Sequence, residues 1–136
     1  DARYLEGLLR GKADVRFNGP ITLSDSEPEP DIAIVRLPES TYCDRHPTPE
    51  DIFWLIEIAR SSLKSDLTIK TAIYARAEIL EYWILDLTNQ ELIVFRHPQE
   101  GRYRHEQRIT SGTISPLTFP EVSIAVSRLL PESNSL

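Results

Sequence analysis

The stretch IFWLIEIARSSLKSDLTIK, residues 52–70, changes its hydrophobic pattern halfway along. Its first part is apolar apart from Glu57 and rich in β-branched and aromatic side chains, which predicts a buried strand. From Ser61 onward the apolar residues fall at helical spacing, which predicts a helix of about three turns ending near Ala77. Glu57 is the unusual residue in this stretch, because burying a carboxylate without a partner costs several kcal/mol.

The segments on either side of this stretch predict a sheet flanked by helices. Upstream, ARYLEGLLRG predicts a helix, VRFNGPITL a strand with a bend at NGP, DIAIVRL a second strand and TPED a single helical turn. Downstream, EYWILDL and ELIVFRH flank TNQ as in a β-hairpin, RYRHEQRI predicts a further strand, and a short strand near residues 122–124 precedes a helical turn. This order predicts an α/β or α+β fold built on a mixed β-sheet.

Length and composition predict one domain spanning residues 1–136. The chain has 136 residues, of which 40% are hydrophobic, and this is enough for one modest core. Its start lies directly in a predicted helix, so we expect that a further segment precedes it. Neither a signal peptide nor a run of about 18 apolar residues is present, which argues against export and against a membrane span. The single cysteine, Cys43, has no partner for an internal disulfide, so we expect a reducing, cytoplasmic compartment.

The net charge and the basic residues bear on nucleic-acid binding. A formal net charge of −6 argues against a protein that coats nucleic acid non-specifically. Six basic residues nevertheless fall within thirteen positions, and we call them the basic strip: Arg96, His97, Arg102, Arg104, His105 and Arg108. The simplest interpretation is the solvated face of a hairpin, and the alternative is a surface that binds nucleic acid.

Carboxylates are the best candidates for chemistry, because the chain has no glycine loop of the kind that cradles phosphates. Asp31 follows Pro30 at the start of one predicted strand, and Glu57 lies late in another, so the two acids could meet at one end of the sheet. Two carboxylates with a backbone carbonyl and waters suit Mg²⁺ or Mn²⁺. Lys70, on the helix that follows, is the cation best placed to balance their charge, with Asp66 and Tyr74 on the same side of that helix.

A purely structural alternative explains the same residues. Glu57 would pair with Lys70, Asp31 would cap a turn, and Asp66 with Lys70 would form an ordinary helix pair. On composition and spacing alone this alternative is favoured, because such pairs are common in enzymes and non-enzymes alike.

Three long blocks of the sequence resemble a known family. PEPDIAIVR, RHPTPEDIFWLIEIARSSLKSD and IKTAIYARAEILEYWILDL resemble the Uma-type family of putative restriction endonucleases, a bacterial branch of the PD-(D/E)xK nuclease superfamily. The resemblance runs from about Leu5 to Leu130. It implies a restriction-endonuclease-like core and an active site made of Asp31, Glu57 and a lysine. The superfamily usually places that lysine two residues after the glutamate, where this chain has Ala59, and the resemblance implies that Lys70 replaces it from the helix.

The resemblance also implies a function. Asp31 and Glu57 would bind Mg²⁺ or Mn²⁺, the metal would acidify and position a water, and Lys70 would orient that water or stabilise charge while DNA is hydrolysed. Double-strand cutting would call for a homodimer. Arg60 departs from the family, since RSSL stands where members usually read DSSL. Two alternatives remain. One is a non-catalytic domain that keeps the fold to bind nucleic acid or protein, for example through the basic strip, and the other is a structural homodimer that pairs through exposed apolar edges such as the EYWILDL hairpin.

Overall fold

The computed structural model describes residues 2–60 and 64–130. Its helices are α1 (Ala2–Leu8), α2 (Lys64–Arg76) and α3 (Val126–Leu129). Its strands are β1 (Asp14–Phe17), β2 (Ile32–Val35), β3 (Ile52–Ala59), β4 (Glu81–Asp86), β5 (Glu91–Gln99), β6 (Arg102–Ile109), β7 (Thr113–Ile114) and β8 (Ile124–Ala125). Two 3₁₀ turns cover Glu39–Tyr42 and Pro49–Asp51. Ser61, the predicted start of the second helix, lies outside the described residues.

The first strand is shorter than its sequence pattern predicts. VRFNGPITL predicts a bent strand, but β1 ends at Phe17. Asn18 then adopts a left-handed backbone with φ 54°, which interrupts the extended strand, and Pro20 has no N–H to donate to a ladder. The predicted turn at TPED is confirmed as the 3₁₀ turn Pro49–Asp51, which Thr48 and Asp51 cap reciprocally.

Six strands form one mixed sheet in the order β1-β2-β3-β4-β5-β6. All neighbouring pairs are antiparallel except β3 and β4, which are parallel. A parallel pair needs a crossover connection, and α2 lies in the chain between these two strands. The predicted mixed sheet flanked by helices is confirmed, and the strand β3 and the helix α2 come from the opening stretch.

Alternating side chains on β3 contribute to two separate hydrophobic cores. Trp54 and Ile56 belong to one core, which also contains residues of α1 and α3. Leu55 and Ala59 belong to the other, which contains Tyr74 of α2. Because successive side chains of a strand point to opposite faces, Glu57 shares its face with Leu55 and Ala59 and is directed toward α2.

The segment EYWILDL forms a central strand and does not offer an exposed apolar edge. β4 is hydrogen-bonded to β3 on one side and to β5 on the other, and its first five residues are buried. The prediction that a homodimer would pair through EYWILDL is therefore wrong, because the outer strands of this sheet are β1 and β6. None of the helices in the described part of the chain is long and apolar enough to cross a membrane.

Candidate functional site

The antiparallel register of β2 and β3 brings Asp31 and Glu57 together. Ile32 pairs with Ile56, so Asp31, one residue before β2, reaches the position opposite Glu57. The Asp31 backbone N–H lies 3.4 Å from Glu57 Oε1, a long hydrogen bond. In return, Asp31 Oδ2 accepts a hydrogen bond from the backbone N–H of Ile58 at 2.7 Å. The two carboxylates are thus tied to each other's strands at one end of the sheet.

Lys70 completes the predicted set of residues. Its Nζ lies 3.7 Å from Glu57 Oε2 and 3.8 Å from Asp66 Oδ2. A cavity of about 220 Å³ has eight lining residues: Asp31, Glu57, Ile58, Ala59, Arg60, Asp66, Leu67 and Lys70. The structure therefore brings together Asp31, Glu57 and Lys70, the three residues that the sequence singled out. The two ion pairs of Lys70 are also those that the structural alternative predicted.

Tyr74 also belongs to this site, although its sequence position alone indicated no role for it. It lies one turn after Lys70 on α2, is fully buried, and its hydroxyl donates a hydrogen bond of 2.9 Å to Glu57 Oε2. Its position four residues after Lys70, on the same side of the helix, was the available signal. Burial and the carboxylate of Glu57 raise the pKa of this tyrosine, so its hydroxyl keeps its proton and acts as a donor at physiological pH.

Glu57 differs from the two other carboxylates that are buried in the described residues, Asp51 and Glu81. Glu81 Oε2 accepts from Arg96 Nε at 2.8 Å and from Trp83 Nε1 at 2.7 Å, and Glu81 Oε1 accepts from the N–H of Leu117 at 2.8 Å. Every oxygen of Glu81 has a short donor. This is the arrangement expected of a structural carboxylate.

Asp51 is equally well supplied with donors. Arg36 Nε lies 2.8 Å from one of its oxygens and Arg45 Nη1 lies 2.7 Å from the other, while the Thr48 N–H donates at 2.9 Å. The hydrogen bond from Arg45 is the largest cause that lowers the pKa of Asp51 below its usual range. Asp51 therefore stays charged inside the protein.

Glu57 has the same burial and weaker support. Its ion pair with Lys70 is 3.7 Å long, whereas charge-assisted hydrogen bonds usually measure about 2.7–2.9 Å, and only Tyr74 donates at such a distance. Burial raises the pKa of Glu57 to about 7, and the charge of Asp31 adds to the rise although Lys70 and Tyr74 oppose it. The carboxylate of Glu57 thus lacks a full complement of positive charge.

Both the sequence and the fold of this chain resemble known proteins. A family model described as "Putative restriction endonuclease", named Uma2, matches residues 2–127. The chain belongs to the Uma2 family. No curated protein matches the chain closely enough to count as a relative.

A solved structure resembles this Uma2 domain. It is a putative nuclease belonging to DUF820 from Anabaena variabilis ATCC 29413, with a TM-score of 0.73 and 16% sequence identity. The match covers 94% of this chain and 74% of the other. At this identity the likeness shows the fold, which is the mixed-sheet, nuclease-like fold that the sequence predicted.

The residues of this Uma2 site fit a hard divalent cation of the Mg²⁺ type. Among the residues that the structure describes, no group of three or more His, Cys, Asp or Glu side chains is arranged to hold a metal ion. Mg²⁺ does not require such a group, since it commonly binds through one or two carboxylates and keeps waters and substrate phosphate oxygens as its other ligands. Asp31 and Glu57 supply two carboxylates to one cavity, and the charge of Glu57 is only partly compensated by Lys70 at 3.7 Å.

The basic strip is mostly neutralised by neighbouring groups. Arg96 is the partner of buried Glu81 and also donates to the Ser115 carbonyl oxygen at 2.6 Å. Arg104 pairs with Glu100 at 3.0 Å, and Arg108 pairs with Glu91 at 2.7 Å. These contacts favour the solvated-face interpretation of the strip over a surface for nucleic acid.

Proposed function

We propose that this domain is a Mg²⁺- or Mn²⁺-dependent DNA endonuclease whose active residues are Asp31, Glu57 and Lys70. Membership of the Uma2 family supports nuclease chemistry. The observation that carries the proposal is the state of Glu57. Its side chain is only 3% exposed, it has one short donor, the Tyr74 hydroxyl, and it lines a cavity together with Asp31 and Lys70. Structural carboxylates in the same protein, Asp51 and Glu81, have short donors on both oxygens.

The carboxylates of Asp31 and Glu57 would hold the cation, and the fold orients both. The Ile58 N–H fixes Oδ2 of Asp31, and the Tyr74 hydroxyl fixes Oε2 of Glu57. Groups that orient ligands in this way restrict the side chains before the cation binds, which lowers the entropy cost of binding. A divalent cation in such a site supplies Lewis acidity, which promotes formation of a nucleophile from water and offsets phosphate charge.

Lys70 is the residue of this chain that can stabilise developing negative charge. Its ammonium enters the cavity from α2, within 4 Å of oxygens of Glu57 and Asp66. With Glu57 engaged as a ligand, the ammonium of Lys70 would be free to donate to a phosphate oxygen in the transition state. Ala59, at the usual position of the lysine, lines the same cavity, so a side chain from the helix reaches the place that a strand lysine would reach.

The proposed substrate is DNA, and each chain carries one such site. Cutting both strands of a duplex with one site per chain requires two copies related by a twofold axis or two successive encounters. We therefore include a homodimer on DNA in the proposal. A non-catalytic role through the basic strip has less support, because the arginines at positions 96, 104 and 108 are paired with carboxylates.

The test is conversion of supercoiled plasmid to nicked and linear forms in Mg²⁺ or Mn²⁺. Wild-type protein is expected to cleave, and the isosteric variants Asp31→Asn and Glu57→Gln, together with Lys70→Ala, are expected to lose about 10²-fold or more in rate. Calorimetry should show a divalent cation binding to wild type and not to Glu57→Gln.

Glu106→Gln is the matched control, since Glu106 is an exposed carboxylate that does not line this cavity. It should cleave and bind metal like wild type. Absence of both cleavage and divalent-metal binding in the wild-type protein would overturn the proposal. Equal cleavage by Glu57→Gln would overturn the assignment of the site.

A further inference from the structure

Arg60 lines three cavities at the end of the sheet, two of which also contain Asp31. It follows the last residue of β3, its side chain is exposed, and it lines the cavity of about 220 Å³ that contains Glu57. It also lines a second cavity of about 380 Å³, whose other lining residues are Phe17, Asn18, Asp31, Ile32 and Ile58. The two cavities share Asp31, Ile58 and Arg60. A chain-like ligand could therefore pass from one cavity to the other along Arg60.

The charges of the first cavity give Arg60 a role that Lys70 does not fill. Three carboxylates line it, those of Asp31, Glu57 and Asp66, against two cations. Lys70 is within 4 Å of two of these carboxylates, so much of its charge is already balanced. Arg60 has no ion pair with any residue in the ranges 2–60 and 64–130. A guanidinium in this position can bind a phosphate through two parallel N–H groups.

The second cavity has the side chains that a nucleotide next to a bound phosphate would contact. Phe17 is half-buried at the end of β1 and offers an aromatic surface, on which bases or sugars commonly pack. Asn18 is exposed, and its amide can donate and accept hydrogen bonds. Its backbone N–H is already used, since it donates to the Asp31 carbonyl oxygen at 2.9 Å. This contact fixes the Asn18 turn relative to the first carboxylate of the site.

We propose that Arg60 binds a phosphate of the DNA strand next to the one that is cleaved, and that the adjoining nucleotide lies in the cavity formed with Phe17 and Asn18. The inference rests on the proposed function, because it takes the first cavity as the place of the scissile phosphate. Arg60 would add a second cationic contact for the DNA backbone beside the carboxylates of this cavity.

The experiment measures the affinity of a fluorescein-labelled, mixed-sequence DNA duplex by anisotropy in EDTA, where metal-dependent cleavage cannot proceed. Arg60→Ala is expected to raise Kd by about tenfold, which is the usual effect of losing one charge-assisted hydrogen-bonded contact. The slope of log Kd against log salt concentration should decrease by about 0.9, as expected for one phosphate contact. Arg60→Lys, which keeps the charge and loses the planar fork, should lie between the two.

Arg102→Ala is the matched control. Arg102 is an exposed arginine on β6 that does not line either of these two cavities, and its removal changes the net charge by the same amount. Its Kd should stay within about twofold of wild type, because exposed charges far from the contact are screened by salt. Asn18→Gly removes the amide at a left-handed backbone position that glycine adopts without strain, and it should raise Kd by a smaller factor than Arg60→Ala.

Three results would overturn the inference: unchanged affinity and salt slope in Arg60→Ala, an equal loss in Arg102→Ala, or no binding of the duplex by wild type. The plasmid assay separates this from the proposed function. If wild type cleaves and Arg60→Ala binds the duplex as wild type does, the proposed phosphate contact is refuted and the proposed function stands. Arg60-dependent binding without cleavage or metal uptake removes the proposed function and leaves the contact standing.

Discussion

At the scale of single residues, what distinguishes the site is how incompletely Glu57 is supported. Asp51 and Glu81 are buried to the same degree, and each has short contacts to both of its oxygens. Glu57 has one short donor, Tyr74, and a distant ammonium. A protein tolerates such a carboxylate at a cost in stability, and costs of this kind concentrate at functional sites.

This cost predicts an unusual dependence of stability on pH. The pKa of Glu57 is raised from 4.5 to about 7. Between these two pH values the folded protein keeps a proton on Glu57 that the unfolded chain has released. The contribution of this group to stability is complete below pH 4.5 and is lost as the pH rises through 7. At about 1.4 kcal/mol per pH unit, the loss over the whole range amounts to about 3.5 kcal/mol.

Urea unfolding in EDTA at pH 5 and pH 8 measures this effect. The free energy of unfolding of wild type minus that of Glu57→Gln should fall by about 2.5 kcal/mol between the two pH values, because the glutamine does not titrate. Glu106→Gln, an exposed control, should parallel wild type. A difference between wild type and Glu57→Gln that stays constant with pH would show that Glu57 is ionised normally.

Two buried tyrosines offer a matched pair of substitutions. Tyr74 and Tyr82 pack edge to face with ring centroids 4.9 Å apart. The Tyr74 hydroxyl donates to Glu57, whereas the Tyr82 hydroxyl makes no hydrogen bond of ordinary geometry within the described ranges, although the Thr71 side chain lies close enough to interact with it. The neighbouring Thr71 hydroxyl donates instead to the Leu67 carbonyl oxygen at 2.7 Å.

Tyr74→Phe should therefore destabilise the protein at pH 8 by about 1.5–3 kcal/mol, since a buried charged group loses a donor. It should also raise the dissociation constant for Mn²⁺ by about 10-fold or more in calorimetry, as is usual when a group that orients a metal ligand is removed. Tyr82→Phe should leave both quantities unchanged or increase stability, because it removes an unsatisfied hydroxyl. Equal effects of the two substitutions would mean that Tyr74 contributes only packing.

At the scale of elements, the site depends on the strand β3 and the helix α2 facing each other. Glu57 and Ala59 lie on the same face of β3, and this face packs against α2. A lysine at residue 59 on the strand or at residue 70 on the helix would place its ammonium in the same cavity. The chemistry fixes the position of the charge and leaves its point of attachment to the backbone free.

Moving the lysine from the helix to the strand tests this equivalence. Lys70→Ala should reduce the rate of plasmid nicking by about 10²-fold or more, and adding Ala59→Lys to that variant should restore part of the lost activity. Residue 59 is buried to 7% exposure, so thermal unfolding of each variant is needed to show that the double variant folds. A folded double variant that remains as inactive as Lys70→Ala would contradict the prediction.

At the scale of the whole molecule, sequential strand order with one parallel pair places the candidate site at one end of the sheet. The antiparallel pairing of β2 with β3 brings Asp31 beside Glu57. The crossover through α2 brings Lys70 over the same end of the sheet. The basic strip belongs to β5 and β6, and most of its arginines are committed to partners within the sheet or hairpin. Arg60, by contrast, lines the cavity that contains the carboxylates, and it is there that we propose a phosphate contact.

Much of the fold follows from the sequence because its signals are local. Apolar alternation, the helical spacing after residue 61 and the turn residues predicted the six strands of the main sheet and the three helices, with ends off by a few residues. The proximity of Asp31 and Glu57 was also predictable, since neighbouring strands bring such positions to one end of a sheet. The idea that EYWILDL forms an exposed edge failed because burial of a strand depends on its neighbours, and sequence periodicity does not identify them.

The sequence by itself determined which residues carry charge inside apolar segments, and hence that Glu57 needed an explanation. Only the tertiary structure decided which buried carboxylates are saturated with donors, because hydrogen-bond distances depend on segments far apart in the chain. Glu81 and Glu57 both stand among apolar residues in strands, yet Arg96 and Leu117 satisfy the first while a cavity adjoins the second. The role of Tyr74 and the position of Arg60 between two cavities depend on the same packing of α2 and β1 around the end of the sheet.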